Sequence, residues 1–194
     1  MNVPPIPARC EGLPTIGGLV APWGNVHLAD GGVDFRALHT ARHVQCWRQR
    51  LCQVCAQRLT QPTVLFGGPQ ELRQLLFTEP GLHPECAVYT SWACPMVAGH
   101  QERFADRAPV SAGKRGQRCY EPGCDCGGWV HEGSRANRAG QEAHPWYAVY
   151  VNSYNLALYP DRSVLGAHVH PDQVRAVRVV CPGRSRWPTM RPPR

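Results

Sequence analysis

Lysine is almost missing from this chain: Lys114 is the only one, although Lys and Arg together number 21 against 14 Asp and Glu. Charged residues of any kind are scarce at 18%, and there are only four Phe and three Met. No stretch reaches the roughly 18 consecutive apolar residues that a membrane helix requires. The first ten residues, Met1 to Cys10, carry neither a basic start followed by an apolar run nor a small-residue cleavage site, so they do not read as a secretory signal. The expectation from these absences is a cytoplasmic chain with no membrane partner. Thiols stay reduced in that compartment, so cysteines there act as metal ligands, redox centres or small buried hydrophobes.

Several catalytic signatures are also missing. The sequence has no GxxxxGK[ST], GxGxxG or GxSxG, which removes support for nucleotide cradles and hydrolase elbows. It has no HExxH, since His131-Glu132 is followed by Gly-Ser-Arg. His83-Pro-Glu85 matches the HxE of zinc deaminases, but Pro122-Gly-Cys-Asp-Cys126 has the wrong spacing for the partner PCxxC. No His-Asn-His arrangement of a nuclease finger is present.

What the chain does have is cysteine, histidine, glycine and proline: 10 Cys, 9 His, 19 Gly and 19 Pro in 194 residues. Gly and Pro make up roughly a fifth, so much of the chain is turn and loop, and apolar residues reach only 43%, against about 45–50% in ordinary globular chains. A core this dilute calls for covalent or metal staples.

Along the chain four stretches differ in character. Residues 1–98 read as an irregular arm, a helix over 34–51 capped by Asp34 and striped by Phe35, Leu38, Ala41 and Val44, then a metal module. Within that module Thr63–Phe66 reads as a strand, Gln70–Phe77 as a short helix and Pro84–Cys94 as a second helix with Pro in its first turn. Residues 99–145 form a glycine- and cysteine-rich loop region. Residues 146–181 read as short strands, with the pairs Val149-Val151 and Val177-Val179 facing a core. Residues 182–194, with four Arg, four Pro and no acid, form a basic tail. The fold class implied is α+β, with a small metal-stabilised module packed on a C-terminal antiparallel sheet.

The strongest local pattern is Cys52-x2-Cys55 followed, after residues 56–82, by His83-x2-Cys86. Two intervening residues let a tight turn aim both sulfurs at one ion, and the second pair falls at a helix start, where ligands about one turn apart face one point. Thiolate and imidazole together suit tetrahedral Zn2+, and four protein ligands make a closed, structural site. The order knuckle, strand, turn and ligand-bearing helix resembles treble-clef zinc fingers, and the CxxC…HxxC half resembles a LIM-type finger with a longer gap. More loosely, Leu51–Cys55, His83–Ala87 and Ala93–Pro95 look like uncharacterised cysteine-rich proteins of bacteria and their phages. That resemblance implies zinc binding and no particular activity.

Other residues are weaker candidates. Cys119, Cys124 and Cys126 form a second thiol cluster among glycines, with His131, His144, His100 or Cys181 as a fourth ligand for a second Zn2+; a thiol cluster or redox disulfide fits equally. His168 and His170 sit two apart on a strand and share a face. His39, His43 and Cys46 fall on one helical face, which reads as an exposed polar face rather than a chelate. Cys46 and Cys94 read as buried thiols outside the metal shell.

Two functions follow. The first is a zinc-stabilised intracellular protein that binds nucleic acid or a protein partner, with Arg184, Arg186, Trp187 and Arg191 of the tail as candidate nucleic-acid contacts. The second is a metal-dependent enzyme using Cys119/Cys124/Cys126 or His168/His170 with an open coordination position.

Overall fold

The computed structural model describes residues 5–28, 31–104, 130–131 and 140–181. It is a mixed helix and sheet protein in which short antiparallel strands outnumber helices. In chain order a 3-10 turn at Ala8–Cys10 precedes a hairpin of β1 (Thr15–Ile16) and β2 (Leu19–Val20). Then come β3 (Asn25–His27), β4 (Val33–His39), α1 (Thr40–Arg48), β5 (Thr63–Gly67), α2 (Pro69–Gln74), β6 (Leu76–Phe77) and α3 (Pro84–Ala93). The remainder is β7 (Val130–His131), β8 (Trp146–Val151), β9 (Asn155–Leu158), β10 (Val164–His168) and β11 (Val174–Cys181).

Three three-stranded sheets result, with strand orders β11-β8-β5, β6-β10-β9 and β3-β4-β7. The first organises the molecule. β5 comes from the middle of the chain, yet it pairs with β8 over its whole length, from Thr63 opposite Val151 to Gly67 opposite Tyr147. The segment with the CxxC and HxxC pairs thus does more than pack on a C-terminal sheet: it supplies one of that sheet's edge strands. Because side chains alternate across a strand, β5 and β8 feed two cores. Val64, Phe66, Trp146 and Ala148 belong to one cluster, with Cys52, Cys55, Leu82 and Cys86. Leu65, Val149 and Val151 belong to the other, with Trp47, Phe77, Tyr154, Ala167 and Val169.

Three expectations are corrected. Residues 34–39, the start of the expected helix, are strand, as part of β4. Their backbone pairs with β3 across a turn in which Leu28 N–H donates to Gly32 C=O, and with β7 on the other side. The helix starts only at Thr40, where the His39 side chain, not Asp34, accepts from the Arg42 N–H. Its buried face is Cys46 and Trp47, whereas Phe35 and Val44 are exposed. Second, Val177 and Val179 are 43% and 58% exposed although they lie opposite Val149 and Tyr147 on the same face: the core that buries Val149 and Val151 fully does not extend, among the described residues, over the edge strand β11. Third, the helix over Gln70–Phe77 ends early: Leu75 turns left-handed at φ 50°, and Leu76–Phe77 leaves as β6 to pair with β10.

Among the described residues no helix is long and apolar enough to cross a membrane.

Candidate metal centre

Backbone pairing brings the four ligand-type side chains together. An antiparallel bridge between Leu51 and Arg58 closes a tight loop, within which Cys52 N–H donates to Gln57 C=O at 2.8 Å and Ala56 N–H to Cys52 C=O at 2.9 Å. Ala56 at φ 60° makes the reversal that a tight turn needs. A second bridge, Val64 with Leu82, returns the chain to the start of β5, and Gln53 N–H reaches Gly81 C=O at 3.3 Å. Gly81 leaves room for this close approach. A Cβ there would sit 2.6 Å from Thr63 Cγ2 and 3.0 Å from Leu59 Cδ1, so a side chain would push the two segments apart.

The next residue but one, His83, is the N-cap of α3, and Cys86 lies in that helix's first turn. Pro84 occupies the first helical position, where its missing N–H costs nothing. The N-terminal end of α3 also favours negative charge on Cys86.

The ligand-type atoms of Cys52, Cys55, His83 and Cys86 all lie within 4.8 Å of one another, and the four residues are 0%, 6%, 0% and 0% exposed. Cys55 Sγ and His83 Nδ1 are 3.4 Å apart. Two ligands on one tetrahedral zinc, with bonds of about 2.3 Å to sulfur and about 2.1 Å to nitrogen, stand about 3.6 Å apart. His83 Nε2 lies 2.9 Å from Arg58 C=O, which can only accept, so Nε2 carries a hydrogen and in the neutral ring Nδ1 is left with its lone pair toward the sulfurs.

The sulfurs bear on one another's ionisation. Hydrogen bonds from Cys52 and then Cys86 hold Cys55 far below the ordinary thiol value. Cys86, donating first to Cys52 and also to Cys55, is pushed well up. Cys52 is raised first by its hydrogen bond to Cys55. Three thiolates this close repel one another, and a cation among them would favour their ionisation. The donor set and the crowding both fit a bound metal ion.

A fifth sulfur adjoins the cluster, and spacing alone does not reveal it. Cys10, 1% exposed, puts Sγ 4.0 Å from Cys86 Sγ. Burial raises its thiol above the ordinary value. The only signal in the sequence was an unassigned cysteine among turn residues, 76 positions from its neighbour.

The other candidates that fall within the described residues do not converge. Among the described residues, the cluster above is the one group of three or more Cys, His, Asp or Glu whose ligand atoms lie close together. His168 and His170 are both exposed, and His170 Nδ1 lies 3.3 Å from Asp172. His39 and Cys46 are buried, not on an exposed polar face, and His43 Nε2 accepts from the Trp47 indole N–H at 3.0 Å. His144 packs between Phe104 and Trp146, and His100 is exposed. Cys46 is buried as expected, and Cys94 is half-buried at the end of α3. Cys119, Cys124 and Cys126 lie outside the described residues, as do Arg184, Arg186, Trp187 and Arg191. His131 and Cys181 are placed only as backbone of β7 and β11.

Comparison with protein-family models, with curated proteins and with solved structures finds no match for this chain.

Proposed function

We propose that Cys52, Cys55, His83 and Cys86 hold one Zn2+ in a closed structural site of treble-clef-like design, and that the chain is a zinc-stabilised binding protein. The observation that carries this reading is burial. Four convergent ligands with no more than 6% exposure leave no open position for water, whereas catalytic zinc keeps one. Three sulfurs and one imidazole select zinc over hard, oxygen-preferring cations. The order of elements supports the treble-clef comparison: a tight Cys-bearing turn, β5, and a helix with two ligands at its start. The enzyme reading gains nothing from His168 and His170, which stand exposed without a third convergent ligand among the described residues.

A binding role draws on two surfaces. α3 carries the ligand pair at its start and turns Val88 and Trp92 outward, 54% and 69% exposed. β11 exposes Arg175 and Arg178 beside Val177 and Val179. An ion that fixes α3 would hold an aromatic contact in place for a nucleic acid or protein partner, and the tail arginines would add phosphate contacts. The test joins elemental analysis to fluorescence anisotropy with random single- and double-stranded DNA and RNA at two salt concentrations. One zinc per chain is expected, with salt-dependent binding that weakens in Trp92→Ala and on removal of residues 182–194. Folded protein without zinc overturns the metal reading. Absence of nucleic-acid binding at both salt concentrations removes that partner and leaves protein.

A further inference from the structure

Residues 9–20 make a series of side-chain contacts with the elements carrying the candidate ligands. Arg9 Nε donates to Glu85 Oε1, on α3 between His83 and Cys86. Arg9 Nη1 donates to Gln57 Oε1 at 2.8 Å, and Gln57 Nε2 returns a bond to Arg9 C=O at 3.2 Å. Gln57 belongs to the loop that bears Cys52 and Cys55. Further along, Val20 N–H donates to Tyr89 Oη at 2.9 Å, again on α3. Cys10 lies between these anchors, with its Sγ 4.0 Å from Cys86 Sγ.

We infer that Cys10 is an outer-sphere partner of the metal centre, carried there by a strap of residues 8–20, and that its S–H donates to the metal-bound sulfur of Cys86. The inference rests on the zinc reading above. A ligating Cys86 is a thiolate and has no hydrogen to give, so in a contact between two sulfurs the donor is Cys10. Cys10 is not a fifth ligand: the four atoms that converge within 4.8 Å do not include its sulfur, and tetrahedral zinc is complete with four. Three thiolates and a neutral imidazole around Zn2+ leave the centre one negative charge. The strap answers that excess with a thiol donor at Cys86 and with the Arg9 guanidinium, which is held on Glu85 between His83 and Cys86. Partners of this kind orient ligands and tune the metal, and their loss typically lowers metal affinity about 10- to 100-fold.

The experiment uses the full chain with cobalt(II) as the optical probe. Wild type should show tetrahedral d–d bands and sulfur-to-cobalt charge transfer of three-thiolate intensity. In Cys10→Ala the intensity should persist while the charge-transfer band moves to lower energy, because the sulfur loses a hydrogen bond, and affinity should fall about 10- to 100-fold. Cys10→Ser, whose hydroxyl can donate in the same place, should restore both. Arg9→Ala, at a side chain 35% exposed, keeps the test alive if Cys10 variants fold poorly, and should speed cobalt loss to EDTA with the spectrum unchanged. Loss of charge-transfer intensity in Cys10→Ala would make Cys10 a ligand and overturn the inference. An unmoved band with unchanged affinity would overturn it too, as would an unchanged EDTA rate for Arg9→Ala. Wild type without tetrahedral cobalt bands would instead sink the zinc reading itself, a distinguishable failure.

Discussion

The two faces of the β11-β8-β5 sheet are built from different materials. On one face Val64, Phe66, Trp146 and Ala148 pack against a cluster that includes Cys10, Cys52, Cys55 and Cys86. On the other, Leu65, Val149 and Val151 meet Trp47, Phe77, Tyr154, Ala167 and Val169, with no cysteine among the buried members. The second face coheres mainly through buried apolar and aromatic side chains. Trp47 meets Tyr154 edge to face at 6.2 Å, and Phe77, Ala167 and Val169 are fully buried. On the first face, three sulfurs and an imidazole occupy volume that aliphatic side chains would otherwise fill, so under the proposed zinc reading its cohesion would depend on the ion those four atoms could hold. One chain thus shows two routes to a small core, and the sheet between them makes them separable by mutation.

The largest effect should come from the metal face. Structural zinc contributes on the order of 10 kcal/mol in small zinc-dependent folds, comparable with the roughly 5–15 kcal/mol total stability of a domain. Cys55→Ser should therefore give insoluble or partly unfolded protein lacking metal, read by elemental analysis and thermal melting; an unchanged melt would put both faces on the same footing. Phe77→Ala, on the opposite face, should cost about 3–5 kcal/mol through the cavity it leaves. It should nevertheless retain full metal content, and loss of metal in that variant would show that the faces are not separable.

Gly81→Ala sharpens the comparison where the metal loop meets the sheet. Its Cβ would meet Thr63 at 2.6 Å, so a loss of about 1–3 kcal/mol is expected together with weaker metal retention in chelator competition. The smallest effect is assigned to the sheet's open edge: Val179→Thr, at a site 58% exposed, should stay within about 0.5 kcal/mol of wild type in denaturant melts.

How much of this was legible in the sequence varies with the range of the cause. The CxxC and HxxC spacings are local, set by a tight loop and a helix start; what brings the two pairs together is the pairing of Val64 with Leu82 and of Gln53 with Gly81. The strands Trp146–Val151 and Val174–Cys181 and the helix Pro84–Ala93 follow from local pattern and from proline placement. Residues 34–39 were misread because Phe35, Leu38 and Ala41 mimic a helical stripe, while the deciding influence is pairing with β3 and β7, which no local window contains. Val177 and Val179 were misread because alternation marks a face without saying whether anything covers it. The place of Cys10 beside Cys86 depends on a contact spanning 76 residues, and that of β5 beside β8 on one spanning more than 80.

The central claim is that four buried side chains close around one zinc ion. X-ray absorption at the zinc edge on the purified full chain, with elemental analysis of the same sample, tests it most directly. The account predicts one zinc per chain in a shell of three sulfurs and one nitrogen, with no bound water. Folded protein without zinc, or zinc in a shell containing oxygen ligands, would contradict it.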